Sequence, residues 1–486
     1  MSFTNQIKLY PKNFWIANTM ELFERWAWYG IFMVLALYLT GSTETGALGF
    51  TQEQKGWMMG IVTGGLYFIP IFTGAIADRF GYKKTLLVAY TCLSTGYYLM
   101  GTFKTFPAVF ATFILVGLGA GLFKPVVQAT IAKSTNEKTS SIGFGIFYMM
   151  INIGGFIGPI FASKLRASHW QYVFIMASFV ILFNFIVVIF FFEEPTKEVV
   201  VEPLGASMKK IIKNIIEALS DFKLVVFLIL IIGFWSMFNQ VYYTLPSFID
   251  QWIDTSSVYH LLEKISPSFA AAIGTPEKTV AAEMMTNLDA FFIIIFQILV
   301  SFLVMKRKPL QAMMIGITVS SIGLGLSYVF QNGSFLILTI LVFSLGEMAA
   351  SPKIYEYIGR IAPKDKTALY MGCSFLPLAG GNFFAGMLSG KVYGSMADKF
   401  TLATMDMAKR GIAIPQFTEH FTKNDLLNQA ANSLHKTQFE YSQYLWNTYH
   451  PSKVWMVFTA IGVATGILLY LYDLLWMREK KVVKQV

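Results

Sequence analysis

The chain has 486 residues, of which 55% are hydrophobic and only 14% charged, and its mean hydropathy is +0.55. A water-soluble enzyme of this length needs more polar surface than that, whereas 45 Phe within a 16% aromatic share suit lipid-facing and bundle-filling helices. The net charge of +10 is spread over many short connections and not gathered in one patch, which argues against a nucleic-acid partner.

Apolar runs of about 18 to 28 residues, each able to cross roughly 30 Å of hydrocarbon, begin near Asn13, Lys55, Thr85, Pro107, Gly143, Gln171, Phe222, Thr286, Leu310, Phe335, Thr367 and Ser452. They predict an all-α membrane protein with twelve transmembrane helices. The polar start and the long, charged first run do not suit a cleaved signal, so the N-terminus is expected to be retained. Basic residues orient the spans. Lys8 and Lys12 precede the first, Arg79, Lys83 and Lys84 follow the second, and Lys306, Arg307 and Lys308 follow the eighth. Arg360, Lys364 and Lys366 precede the eleventh, and Arg478, Lys480 and Lys481 end the chain. All of these ends are assigned to the cytoplasm, with both termini inside a cell (inner) membrane.

The longest cytoplasmic connection, 193–221, divides an N-terminal six-helix half, 1–192, from a C-terminal one, 222–486. Within it "MKKIIKNIIEAL" sets Ile211, Ile212, Ile215, Ile216 and Leu219 on one helical face beside Lys209, Lys210 and Lys213, as in a helix lying on a membrane surface. Two polar segments, 251–285 and 395–450, face outward. The second has helical composition and is read as a small cap, with plain capping and partner binding both open. Cys92 and Cys373 lie in apolar runs, and His169, His260, His420, His435 and His450 lack ligand spacing. With no phosphate loop or nucleophile elbow in context, no metal, cofactor or enzymatic centre is expected.

The first run contains "MELFERWAWYG", Met20 to Gly30. Its Glu21, Glu24 and Arg25 stand at i, i+3 and i+4, on one helix face, where Arg25 can neutralise one carboxylate at a time. Lys124 in "GLFKPVVQA" and Glu347 in "LGEMAASPK" sit near the middle of spans four and ten, flanked by Gly and Pro. An intramembrane charge costs on the order of 3 kcal/mol on insertion scales, so five of them argue for a polar pathway at bent helices. The alternative, that they only bolt helices together, needs two. A buried carboxylate whose basic neighbour can leave is a proton switch, which fits Glu24 and Glu347.

These residues resemble the proton-dependent oligopeptide transporters of the major facilitator superfamily. "ELFERWAWYG" is similar to that family's first-helix ExxER signature, and "GAIADRFGYKKT" to the superfamily's loop after helix two. "FYMMINIGGFIGP" resembles the fifth-helix signature, and "GEMAASPKIYEYIGRIAPK" the tenth helix. The resemblance implies the major facilitator fold and alternating access, with proton-driven import of a di- or tripeptide and no ATP site. It implies a proton relay at Glu21, Glu24 and Arg25. Lys124 would meet a carboxylate or the peptide C-terminus, and Glu347 the peptide N-terminus or a proton. Tyr29, Tyr67, Asn152, Trp235 and Ser351 would line the pocket.

Departures from the family pattern bear on the cargo. Phe32 stands where a second arginine is usual, Asn239 in "FWSMFNQ" where a glutamate is usual, and Ser374 near a usual tryptophan. Val126 and Asp289 each replace a common asparagine. Half of the clamp for a zwitterionic peptide is thereby removed, and Asp289 is read either as the helix-seven carboxylate moved to helix eight, paired with Lys124, or as a helix N-terminal residue. A modified or anionic small metabolite is the second cargo, and a non-transporting receptor or assembly subunit the third reading.

Overall fold

The structure, a computed structural model, describes residues 9–136, 139–195, 203–329, 331–363, 366–415, 417 and 421–477. Lys8, Lys364, His420, Arg478, Lys480 and Lys481, used above for topology and metal spacing, lie outside the described residues.

Apolar runs with good helix formers give helices, and Pro, Gly and Asx residues punctuate them. The N-terminal stretch holds α1 (Lys12–Thr40), α2 (Gln52–Phe68), α3 (Pro70–Phe80), α4 (Tyr82–Thr102), α5 (Phe106–Lys133), α6 (Ser140–Ser168) and α7 (Trp170–Phe190). The connection forms α8 (Leu204–Ala218). Then come α9 (Phe222–Phe238), α10 (Gln240–Tyr243), α11 (Leu245–Trp252), α12 (Ser256–Ile265), α13 (Pro267–Ile273), α14 (Ala282–Thr286), α15 (Leu288–Val304), α16 (Pro309–Leu326) and α17 (Gly333–Ile361). The last part holds α18 (Thr367–Cys373), α19 (Phe375–Met387), a π-helical turn at Leu388–Tyr393, α20 (Gly394–Met396), α21 (Lys399–Lys409), α22 (Lys423–Asn432), α23 (Gln438–Tyr449) and α24 (Val454–Tyr472).

Among the described residues ten helices are long and apolar enough to cross a membrane, and α2 with α3, bent by 49° at Pro70, makes an eleventh. The remaining expected span falls on α4, whose 21 residues suffice in length but whose Lys83, Lys84 and run of Thr, Ser, Gly and Tyr dilute its apolarity. The all-α membrane architecture holds. Other breaks follow the sequence too: α9, α10 and α11 are interrupted at Asn239 and Thr244 ahead of Pro246, and α14 and α15 at Asn287.

Packing gathers the chain into two units, one of Met1–Phe32 with Val62–Ala218, the other of Met33–Ile61 with Leu219–Val486, so α1 and α2 contribute residues to each. In the first unit α4 packs on α5 and α7, α6 on α7, and α3 on α5 and α8. Gly154 and Gly158 of α6 let its backbone ride on α1. A Cβ at Gly154 would collide with the Leu22 carbonyl, and one at Gly158 with that of Trp26. On α8 the apolar face read from the sequence is divided. Ile211 and Ile215 are half-buried while Ile212 and Ile216, one residue further round the turn, are exposed.

In the second unit α16 packs on α17 and α24, α9 on α19 and α24, and α15 on α17. The polar segment 395–450 contains α21, α22 and α23, held by Asp406, which accepts from Arg410 at 2.6 Å, from Tyr441 and Tyr444 at 3.0 Å and from Tyr449 at 3.3 Å. Thr422 with Asp425 opens α22, and Thr437 with Glu440 opens α23, each as a reciprocal capping box.

The backbone N–H and hydroxyl of Thr422 hold the Asp425 carboxyl below the usual range, and Thr437 does the same for Glu440. A folded value depressed in this way contributes stability above the unfolded carboxylate range and loses it as pH falls through the folded value. Acidification through that range is expected to raise amide exchange in α22 and α23 before it does so in α16 or α17. Thr422→Ala should weaken α22 by about 1 kcal/mol and reduce its pH dependence without abolishing it, since the backbone N–H at position 422 still donates to Asp425, read by hydrogen exchange.

Candidate functional site

The first unit buries an ion cluster inside α1. Glu21, Glu24 and Arg25 are 4%, 0% and 5% exposed. The Arg25 guanidinium donates through Nε to Glu24 Oε2 at 2.5 Å and stands 3.3 Å from Glu21 Oε1, so one cation serves two carboxylates one turn apart. Glu24 Oε1 is buried and finds no hydrogen-bond partner among the described residues. A buried carboxyl oxygen left in that condition is costly.

Lys124 is aimed by a helix defect. Pro125 has no N–H, so the Gly121 carbonyl of α5 loses its intrahelical donor, and the Thr73 hydroxyl of α3 takes that role at 2.7 Å. The Lys124 ammonium lies 4.3 Å from the centre of the Tyr67 ring and within electrostatic reach of Arg25, Glu24 and Glu21. Arg25 lies 5.9 Å from the Tyr29 ring, which packs on Gly155 of α6. Thus Glu21, Glu24, Arg25, Tyr29, Tyr67 and Lys124 are brought together. Asn152 turns its amide onto the Tyr148 carbonyl of its own helix at 2.8 Å, and Phe32 stacks on Trp28.

Sequence reasoning missed Tyr90 and Tyr97 of α4. Both are fully buried, neither hydroxyl has a partner among the described residues, and both feel the Glu24 charge. Their spacing puts them on one face of the least apolar span, a signal lost among the chain's 23 Tyr.

The second unit has a cluster of its own. Asp289, 1% exposed in the first turn of α15, accepts from Ser344 Oγ at 2.5 Å and from Tyr242 Oη at 2.9 Å. The residue is therefore both helix N-terminal and engaged by side chains of α10 and α17. Glu347 Oε2, the Ser351 hydroxyl one turn further along α17, and the Trp235 indole N–H are buried without partners among the described residues. Asn239 and Ser374 spend their side chains on local carbonyls, Trp235 at 2.8 Å and Met371 at 2.7 Å. Another group missed is Lys55, fully buried, whose ammonium donates to the Tyr243 carbonyl at 3.0 Å beside the Ser389 hydroxyl. Among the described residues no three His, Cys, Asp or Glu stand together as a metal set.

A family model described as the Major Facilitator Superfamily matches residues 18–373. The "Peptide transporter YePEPT" of Yersinia enterocolitica is 29% identical over 32% of this chain and 31% of its own length. The "Dipeptide and tripeptide permease B" of Xenorhabdus bovienii is 30% identical over 34% of this chain and 35% of its own. The chain thus matches about a third of the length of these curated relatives, which are named as a transporter and a permease and not as enzymes. A crystal structure of a POT family transporter in complex with 5-aminolevulinic acid superposes with a TM-score of 0.69 over 95% of this chain and 96% of that one, at 15% identity. A nucleoside transporter, NupG, gives 0.62 over 95% and 99% at 14% identity. At these identities the superpositions establish the fold, and the resemblance drawn from the four motifs holds.

Removing Arg25 strands two buried carboxylates. Arg25→Ala should destabilise the purified protein by about 3–5 kcal/mol, with Arg25→Lys intermediate because a point charge cannot replace the fork, read as thermal melting in detergent.

Proposed function

The chain belongs to the Major Facilitator Superfamily, and from that premise we propose that it is a proton-coupled symporter importing di- or tripeptides by alternating access of two six-helix halves, 1–192 and 222–486. Its place is a cell (inner) membrane with both termini in the cytoplasm. The observation that carries the reading is the set of buried polar atoms without partners beside buried charges: Glu24 Oε1 on α1, and Glu347 Oε2 with the Ser351 hydroxyl on α17. A static scaffold has no use for such atoms, whereas a carrier needs groups that are satisfied only when loaded.

In this mechanism Glu24 takes the proton. Protonation cancels its charge and releases Arg25 to Glu21, which changes the field at Lys124 without moving a helix. Lys124, standing over Tyr67 with no direct ion pair in its own unit among the described residues, is the group for a cargo carboxylate. Glu347 and Ser351, on one face of α17, serve cargo N–H groups. The names of the relatives support a peptide cargo. Phe32 and Asn239, which leave the clamp with one arginine and one carboxylate fewer, favour a modified or anionic metabolite as the second reading.

Uptake of a mixed di- and tripeptide library into proteoliposomes under an inward proton gradient tests this. Accumulation should vanish when the gradient is collapsed, and Glu24→Gln should lower it by at least about tenfold. Accumulation that survives collapse refutes the symport mechanism. Gradient-dependent proton influx elicited by small metabolites but by no peptide assigns the other cargo.

A further inference from the structure

One groove in the second unit has no place in the transport mechanism. It lies open between α16 and α24 with a volume of about 650 Å³, within the range of roughly 300–1,000 Å³ that small-molecule sites occupy. Its walls are two helix faces. Gln311, Ile315 and Thr318 stand at i, i+4 and i+7 on α16, and Val463, Ile467 and Tyr470 repeat that spacing on α24. The helices run antiparallel, with Gly466 against Thr318, Gly462 against Ser321 and Gly325 against Thr459. Gln311 and Tyr470 therefore share one end of the groove, where Arg307 closes the lining.

The floor is low because Gly466 has no side chain: a Cβ there would stand in ordinary contact, 3.4 Å from the Thr318 hydroxyl. That hydroxyl is already given to the Met314 carbonyl at 2.8 Å, so the floor is apolar in effect. Neither α16 nor α24 contains a charged residue, which leaves Arg307 as the charge of the groove. Lys306 and Lys308 flank it. All three are exposed, and none takes part in an ion pair among the described residues. From Gln311 to Val319 the α16 wall rises about 12 Å, most of the roughly 15 Å that one leaflet of a 30 Å hydrocarbon core provides.

We propose that this groove binds an anionic phospholipid of the cytoplasm-facing leaflet, with one acyl chain laid between α16 and α24 and the phosphate on Arg307. The planar guanidinium fork matches phosphate oxygens, and a basic pocket between spans on that side suits an anionic headgroup. Other occupants fit the pattern less well. A free phosphate leaves the apolar walls bare, and a second copy joined through the same face, in the same membrane orientation, sets its own three cations against these. The site is independent of what the protein carries.

Native mass spectrometry of the purified full chain, offered dioleoyl phosphatidylglycerol and dioleoyl phosphatidylcholine in equal amounts, tests the assignment. Phosphatidylglycerol should remain bound with about a tenfold preference, and Arg307→Ala should cut that preference about fivefold. Lys84→Ala, which removes an exposed charge on α4, should leave it unchanged; an equal loss there makes the preference a property of the whole basic surface and refutes the site. Gly466→Leu, which fills the floor, should lower bound lipid about tenfold, and Gly466→Ala replaces it if the larger side chain prevents folding. Bound phosphatidylglycerol should raise the melting temperature of the unsubstituted chain more than that of Arg307→Ala. Equal binding of the two lipids, or retention unchanged in the Arg307 and Gly466 variants, overturns the proposal. So does displacement of the lipid by an equal concentration of inorganic phosphate, or a dimer that Arg307→Ala dissociates, since each assigns a different occupant.

Discussion

The constraint on which the candidate site depends is the placing of ionisable groups where water cannot solvate them. The Arg25 guanidinium is the central case, since its five donors are the only cationic means within α1 of neutralising Glu21 and Glu24. One cation against two carboxylates is an unbalanced arrangement, and a buried oxygen of Glu24 is left without a partner among the described residues. Lys124 is held within the same field but over an aromatic ring and not on a carboxylate, so its charge remains available.

Helix geometry delivers these groups by close backbone approach and by deliberate defects. Gly154 and Gly158 bring α6 against α1 along the Leu22–Trp26 stretch, next to the charges. The breaks at Asn239 and Thr244 place Tyr242 on a short separate turn, where its hydroxyl meets Asp289. In the second unit Gly56 and Gly60 face Gly386 and Gly390 in the same manner, and Lys55 is buried beside that contact on the Tyr243 carbonyl. Small residues at four-residue spacing thus occur at both of these contacts.

Much of this was legible in the chain because charge in an apolar run is conspicuous. The spans, the Glu21, Glu24 and Arg25 face, and the mid-span positions of Lys124 and Glu347 follow from periodicity and hydropathy. What was not legible depends on which side chains meet across elements. Ser344 reads as an ordinary helical serine and Tyr242 as one aromatic among many, yet both complete the Asp289 site. Tyr90 and Tyr97 were hidden in the same way, and Asp289 could not be decided between helix end and pocket because it is both. On α8 the isoleucines read as a single apolar face are split by a neighbour, α3, that periodicity does not know about.

The bond from Thr73 to the Gly121 carbonyl carries a consequence of its own. A proline in the middle of a helix usually leaves a loose joint, but here the joint is stitched from outside by a hydroxyl on the segment just past the bend of the second span. Any swing of that segment therefore turns the ammonium-bearing part of α5 with it. The aim of Lys124 is governed by an uncharged side chain on another helix, so the steering of the cation and its chemistry are entrusted to different residues.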